Sequence, residues 1–199
     1  MEFGRYLAFF FDSYPVKNYP QRVGTIIAFG DSLTVGVGAS LPENGYVNIL
    51  SGRFGVPITN SGISGNTTND GLVRLESDVL SKHPSVVILL LGANDYLRKI
   101  PEDETFTNLR TMIDRIQADG AVVLLVGVRG GLFHDKFDDR FSDLARESGC
   151  LFVPNVLDGV IGDVKYSSDD GIHPNDQGYL KMADKIAPEL ASLLTTKQN

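Results

Sequence analysis

Tryptophan is absent from this 199-residue chain, which has one cysteine and three histidines. A single cysteine cannot form an intramolecular disulfide. Cys150 is followed by the apolar residues 151–153, so we expect it to be a buried structural thiol. No pair of cysteine or histidine residues has the spacing of a metal site. The sequence therefore predicts neither a disulfide nor a bound metal.

Long apolar runs and basic clusters are equally scarce. The apolar residues 7–11 are too few for a signal-peptide core, and no stretch approaches the roughly 20 apolar residues of a membrane span. We therefore expect no transmembrane segment and a cytoplasmic location, or a periplasmic or secreted one if a leader is missing from this sequence. The formal net charge of −7, without a lysine or arginine cluster, argues against nucleic acid or anionic membranes as partners. The oligomeric state stays open.

What the sequence does contain is a regular alternation of short apolar runs and helical patterns. The apolar runs, which predict five strands, cover residues 25–29, 56–59, 86–91, 121–126 and 151–153. The helical patterns cover residues 45–54, 67–83, 104–118, 137–148 and 175–194. This alternation is typical of a single three-layer α/β/α domain with a parallel sheet, and we favour the flavodoxin-like strand order 2-1-3-4-5. Residues 1–22 show no period, so we divide the chain into an N-terminal extension, 1–22, and one domain, 23–199.

Polar residues and a glycine follow the predicted strands. Ser32 follows the first strand, Gly62 the second and Asn94 the third. Asp170 and His173 lie beyond the fifth strand, just before the last helix. Because ligands of open α/β sheets bind outside the carboxyl ends of the strands, we expect these residues to form one site.

These residue types are the ones that acyl transfer requires. A serine hydroxyl is a weak nucleophile that needs a base, and an imidazole can accept its proton near neutral pH. A carboxylate on the far imidazole nitrogen fixes the tautomer, while backbone N–H groups and an amide side chain can bind the oxyanion of a tetrahedral intermediate. Two further acids, Asp31 and Asp95, are expected to bind loop backbone rather than to transfer protons.

Four short motifs, in the same order along the chain, resemble the blocks of the SGNH (GDSL) hydrolase family. They are Gly30-Asp31-Ser32-Leu33, the loop with Gly62, Gly92-Ala93-Asn94-Asp95 and Asp170-Gly171-Ile172-His173-Pro174. The string at residues 60–67, followed by Gly71-Leu72 and Arg74-Leu75, is similar to the bacterial thioesterase/lysophospholipase and arylesterase branch. Together the motifs span most of residues 25–180.

The resemblance implies a serine esterase that hydrolyses carboxylic esters, acyl thioesters or lysophospholipids through an acyl-enzyme, without a cofactor. Ser32 would be the nucleophile, His173 the general base and Asp170 its orienting carboxylate. The N–H groups of Ser32 and Gly62 and the side-chain amide of Asn94 would form the oxyanion hole. A carbohydrate O-deacetylase or an acyltransferase on the same triad are alternatives, as is a non-catalytic flavodoxin-like binding module.

Apolar loop residues near this site are candidates for the wall that binds an acyl chain. The substrate-binding candidates are Leu132, Phe133 and Ile172, and the same wall could include Val156, Leu157, Val160 and Ile161. For each of them, packing of its loop against the domain is an equally good interpretation. Such apolar loops, without tryptophan, argue against a carbohydrate acceptor. His134 is expected at the surface, and His83 as a solvated helix cap.

Overall fold

Five parallel strands form the centre of the protein in a computed structural model that describes residues 14–128 and 136–194. The strands are β1 (Ile26–Gly30), β2 (Ile58–Gly62), β3 (Val86–Leu90), β4 (Val122–Val126) and β5 (Leu151–Val153). Their order in the sheet is β2-β1-β3-β4-β5, which confirms the predicted topology. Every residue of β1, β3 and β4 is buried, as expected for central strands covered by helices on both faces.

Helices cover the two faces of the sheet. They are α1 (Ser32–Val35), α2 (Tyr46–Phe54), α3 (Thr68–Asp78), α4 (Ala93–Leu97), α5 (Glu102–Ala118), α6 (Lys136–Ser148) and α7 (Asp176–Leu194). Helix α5 contacts both α3 and α6, while α2 contacts α7, so the helices form two outer layers. The three-layer α/β/α arrangement thus follows from the alternation of strands and helices along the chain.

The second strand lies further along the chain than the sequence predicts. It begins at Ile58, pairs with β1 and ends where Gly62 lies opposite Gly30. Pro57 precedes the strand, since a proline has no N–H to donate to the ladder. Residues 60–62, predicted as a loop, therefore belong to an edge strand of the sheet.

Helix α3 is shorter than its pattern indicates. Thr67 and Asp70 form a reciprocal capping box at its beginning, and the helix ends at Asp78 rather than near residue 83. A 3₁₀ turn follows, at residues 80–82. Val73 is 80% exposed, because it lies about 100° around the helix from its neighbour Leu72.

The described part of the predicted extension, residues 14–22, lies against the amino ends of the strands. The Tyr14 hydroxyl donates to the carbonyl of Cys150, just before β5, and the Asn18 amide donates to the carbonyl of Ala121, just before β4. This segment is therefore at the sheet edge opposite Ser32. In the ranges that the structure describes, no helix has the length and apolar character that a membrane crossing needs.

Candidate active site

Ser32 is the first residue of α1 and follows the tight turn at the end of β1. The Asp31 carboxylate caps α1 by accepting a hydrogen bond from the Leu33 N–H over 3.0 Å. Helix α1 lasts one turn and ends at Gly36, whose φ of 93° is the left-handed conformation that glycine adopts without strain. The turn therefore holds Ser32 at the carboxyl edge of the sheet.

His173 and Asp170 lie on the loop before α7 and complete a hydrogen-bonded relay with Ser32. The His173 Nε2 atom is 2.9 Å from the Ser32 Oγ, and its Nδ1 atom is 2.6 Å from the Asp170 Oδ2. The Asp170 Oδ1 accepts hydrogen bonds from three groups, the N–H of Ile172, the N–H of His173 and the hydroxyl of Ser168. The hydrogen bond from the imidazole, followed by these three, lowers the pKa of Asp170 well below its usual value. The carboxylate thus stays ionised where it can orient the imidazole.

Contacts between α7 and the segment after α1 bring this loop to the serine. The Tyr179 hydroxyl donates to the Val37 carbonyl over 2.7 Å, and Asp176 accepts from both the N–H and the hydroxyl of Ser40. The Asn175 amide also donates to the carbonyls of residues 165 and 167, which anchors the loop itself. Groups 141 residues apart in sequence therefore meet through helix packing and a locally bonded loop.

Asn94 occupies the first turn of α4, at the carboxyl end of β3, and lines the same cleft as Ser32. Its Nδ2 donates to the Asp31 Oδ2 over 3.1 Å and to the Asn66 carbonyl over 3.0 Å. The amide is therefore held in one orientation in the cleft that Ser32 lines. Both of its hydrogens already have acceptors, so it can bind an oxyanion only by sharing one of these hydrogens with it, and it does so without adding a titrating group.

Gly62, the glycine predicted for the oxyanion hole, is not among the described residues that line the cleft beside Ser32. Its N–H donates to the Asn60 Oδ1 over 2.9 Å. A Cβ at this position would lie 2.5 Å from the Val35 nitrogen, so the glycine is required for close packing of β2 against α1.

Gly65, three residues further on, lines the cleft instead, together with Ser64. Its φ of 79° belongs to a turn closed by a hydrogen bond from the Asn66 N–H to the Ile63 carbonyl. No described hydrogen bond uses the Gly65 N–H within residues 14–128 and 136–194. Residues 62–65 contain two glycines, and the sequence alone does not show which of them lies beyond the end of β2. The prediction therefore named Gly62 and not Gly65.

Two buried acids support this edge of the sheet. Asp95 is fully buried and accepts hydrogen bonds from the N–H and hydroxyl of Thr68 and from the hydroxyl of Thr105, so it joins α4 to α3 and α5. Asp31 is 1% exposed, and burial raises its pKa to about 6. Neither carboxylate contacts the Ser32 hydroxyl in the described hydrogen bonds, which agrees with the structural roles expected of them.

A cleft of about 570 Å³ opens beside Ser32 and His173. Its apolar lining includes three of the predicted wall residues, namely Leu157, Ile161 and Ile172. The side chains of Val156 and Val160 are instead fully buried, so they pack the loop against the domain. The predicted wall residues Leu132 and Phe133, and His134 beside them, lie outside the described residues.

The cleft lining also includes Tyr96 and Leu97 on α4, which were not predicted as site residues. The Tyr96 ring packs edge-on against Phe137 of α6, with 5.5 Å between the ring centroids. Five residues are too few to show a helical period, so the hydrophobic pattern does not predict α4.

Comparison with known proteins agrees with this geometry. The model of the GDSL-like lipase/acylhydrolase family matches residues 28–181. An arylesterase of Vibrio mimicus is 33% identical over 87% of this chain and 92% of its own, and the esterase TesA of Pseudomonas aeruginosa is 30% identical over 85% and 89%.

Solved structures show the same relationship. A crystal structure of TesA, 29% identical, covers 85% of this chain and 99% of its own with a TM-score of 0.78. The esterase EstA from Pseudoalteromonas, in a structure inhibited by monoethylphosphonate, is 26% identical over 87% and 100% with a TM-score of 0.75. This chain therefore belongs to the GDSL-like lipase/acylhydrolase family and is a carboxylic ester hydrolase.

Proposed function

We propose that the protein hydrolyses esters with apolar acyl chains, using Ser32 as nucleophile, His173 as general base and Asp170 as the orienting carboxylate. The observation that carries the proposal is the continuous relay from Ser32 through His173 to Asp170, with distances of 2.9 and 2.6 Å. Both distances are within hydrogen-bond reach, as proton transfer between nucleophile and base requires.

In the first half-reaction, the Ser32 Oγ attacks the ester carbonyl carbon while the His173 Nε2 takes the hydroxyl proton. The carbonyl oxygen becomes an oxyanion, bound by the N–H groups of Ser32 and Gly65 and by the Asn94 amide. His173 then gives its proton to the leaving alkoxide oxygen, which frees the alcohol and leaves an acyl-serine. Water, deprotonated by the same imidazole, cleaves the acyl-enzyme and restores the hydroxyl.

The lining of the cleft supports an apolar acyl group. Its volume of about 570 Å³ is within the range of small-molecule sites, and its lining includes the aliphatic side chains of Leu97, Leu157 and Ile161. The similar proteins named above are esterases, and a 29% identical relative from Escherichia coli is named thioesterase 1/protease 1/lysophospholipase L1. A thioester substrate is therefore the second candidate, since the same relay can expel a thiolate.

A carbohydrate deacetylase is less well supported. An acetylxylan esterase of Geobacillus stearothermophilus is 33% identical, but the match covers only 37% of this chain.

Covalent labelling tests the nucleophile, and a substrate panel tests the acyl preference. A fluorophosphonate probe should label the wild type and Ser77→Ala, which changes an exposed serine on α3, but not Ser32→Ala. Ser32→Ala should lose about three or more orders of magnitude in kcat on p-nitrophenyl esters. Labelling or full activity of Ser32→Ala would disprove the assignment. Faster cleavage of acetylated xylan than of any longer acyl ester or acyl-CoA would favour the deacetylase instead.

A further inference from the structure

Arg74 on α3 is a largely covered arginine next to the active site that the mechanism above does not use. Its side chain is 11% exposed, and its guanidinium carbon lies 4.1 Å from the centroid of the Phe29 ring. The guanidinium donates four hydrogen bonds, to the Asn66 Oδ1 (2.6 Å), the Ser61 carbonyl (3.0 Å), the Gly30 carbonyl (2.8 Å) and the Asp78 Oδ2 (2.9 Å). Three of these acceptors lie at or just beyond the carboxyl ends of β1 and β2.

Hydrogen bonds to these acceptors hold the turn of residues 63–66, which contains Gly65. The Gly30 carbonyl, the last of β1 before the nucleophile, accepts from the Ile63 N–H over 3.1 Å as well as from Arg74. The Ile63 carbonyl in turn accepts from the Asn66 N–H, and Arg74 binds the Asn66 side chain. Both ends of the turn 63–66 are therefore attached, one to the end of β1 and the other to the guanidinium.

The same turn also holds Asn94. The Asn66 carbonyl accepts a hydrogen bond from the Asn94 Nδ2 over 3.0 Å. A displacement of Asn66 would thus change the orientation of the Asn94 amide and the position of the Gly65 N–H together. Asn66 connects Arg74 to both of these groups.

Only a guanidinium suits this position. Its planar group of fixed donors can reach two strand carbonyls and a side-chain amide at once, whereas a lysine ammonium is a compact point charge. Losing the guanidinium would remove one donor from the Gly30 carbonyl and the described donors of the Ser61 carbonyl and the Asn66 side chain, and would free the turn to move. An oxyanion site depends on donors that are fixed before the reaction, and a displacement of about 1 Å can lower the rate about 100-fold.

We propose that Arg74 is a positioning residue for the oxyanion hole, acting through Asn66 on the Gly65 N–H and the Asn94 amide. The proposal rests on the esterase mechanism above. It makes Arg74 necessary for the rate of the chemical step and not for the binding of substrate.

A double-mutant cycle with Asn94 tests this proposal on p-nitrophenyl ester hydrolysis. Arg74→Lys should lower kcat by about ten- to a hundredfold with KM little changed, because the transition state alone uses the oxyanion donors. In the Asn94→Ala background the same substitution should lower kcat clearly less, since residues that act through one another are not additive. Asp78→Asn is the matched control, because it removes the charge of the fourth acceptor and leaves the bonds to the turn. Its kcat should stay within about twofold of the wild type.

Other results would overturn the proposal. Equal losses from Arg74→Lys in both backgrounds, or an equal loss from Asp78→Asn, would show that Arg74 does not act through the oxyanion donors. If Arg74→Lys does not fold, Arg74→Ala with millimolar guanidinium chloride replaces it. Added guanidinium should then restore kcat in that variant, and no restoration in folded Arg74→Ala would also count against the proposal. An inactive wild type would instead disprove the esterase mechanism itself.

Discussion

Asn94 donates a hydrogen bond from its side-chain amide to the buried carboxylate of Asp31, with 3.1 Å between Nδ2 and Oδ2. Burial of Asp31 raises its pKa to about 6, because desolvation outweighs the hydrogen bond from Leu33 and the attraction of His173. The folded protein therefore keeps an ionised acid in an unfavourable environment at neutral pH. In this buried position the Asp31 carboxylate accepts a hydrogen bond from the Asn94 amide and so orients that amide in the cleft that Ser32 lines.

We predict that the unfolding free energy of Asp31→Asn increases relative to that of the wild type as the pH rises. A pKa raised from 3.8 in the unfolded chain to about 6 in the fold favours the folded state below pH 3.8, and this contribution is lost as the pH rises through about 6. Between pH 3.5 and pH 8 the difference in unfolding free energy between variant and wild type should grow by about 3 kcal/mol. Urea denaturation at the two pH values measures it.

Asp70→Asn is the control, because its effect on the unfolding free energy should depend on pH with the opposite sign. The pKa of Asp70 is lowered, first by the Thr67 backbone N–H and then by its hydroxyl, so this group stabilises the fold above its unfolded pKa. Asp70→Asn should therefore become more destabilising as the pH rises. A pH-independent difference for Asp31→Asn would show that Asp31 is not the raised acid.

The two glycines of the 62–65 segment should respond differently to alanine. Gly62→Ala would put a Cβ 2.5 Å from the Val35 nitrogen, a backbone atom that cannot yield, so the melting temperature should fall. Gly65→Ala meets only the Arg98 side chain at 3.5 Å, and its strained φ costs about 1–2 kcal/mol, so this variant should fold. Because the strain shifts the Gly65 N–H, its kcat should fall about ten- to a hundredfold. Unchanged kcat in folded Gly65→Ala would remove Gly65 from the oxyanion hole.

The sequence predicts a residue of this site well when the position of that residue follows from the apolar strand before it. Ser32 and Asn94 lie within a few residues of the ends of the apolar strands β1 and β3, so their place at the sheet edge is evident from the pattern. Asp170 and His173 are three residues apart on one loop, and a local turn joins them. The choice of Gly65 as the proposed oxyanion donor depends instead on where the partly exposed strand β2 ends, which the pairing with β1 decides and the hydrophobic pattern does not.

Asp170→Asn should abolish most of the activity while leaving the loop intact. The asparagine oxygen can still accept from the N–H groups of Ile172 and His173, but its NH₂ would face the His173 Nδ1 and donate to it. The imidazole would then carry its proton on Nε2 and could not accept the proton of Ser32, so kcat should fall by about 10² to 10⁴. Asp169→Asn, a change at the exposed neighbouring residue, is the control. Steady-state kinetics with circular dichroism would check both, and a loss below about tenfold would contradict the role of Asp170.

The final prediction concerns the acyl wall, where Leu157 and Ile161 line the cleft away from the relay. Leu157→Ala and Ile161→Ala remove contacts that only longer acyl chains can reach, so kcat/KM should fall more for long p-nitrophenyl esters than for the acetate. An apolar pocket discriminates by about 1–3 kcal/mol per methylene, so the long-to-short ratio should change about tenfold or more. This ratio is independent of the fraction of folded enzyme, since both substrates meet the same preparation. Val73→Ala, a change on the exposed face of α3, should leave the ratio unchanged, and the same ratio in all three variants would exclude these residues from the acyl wall.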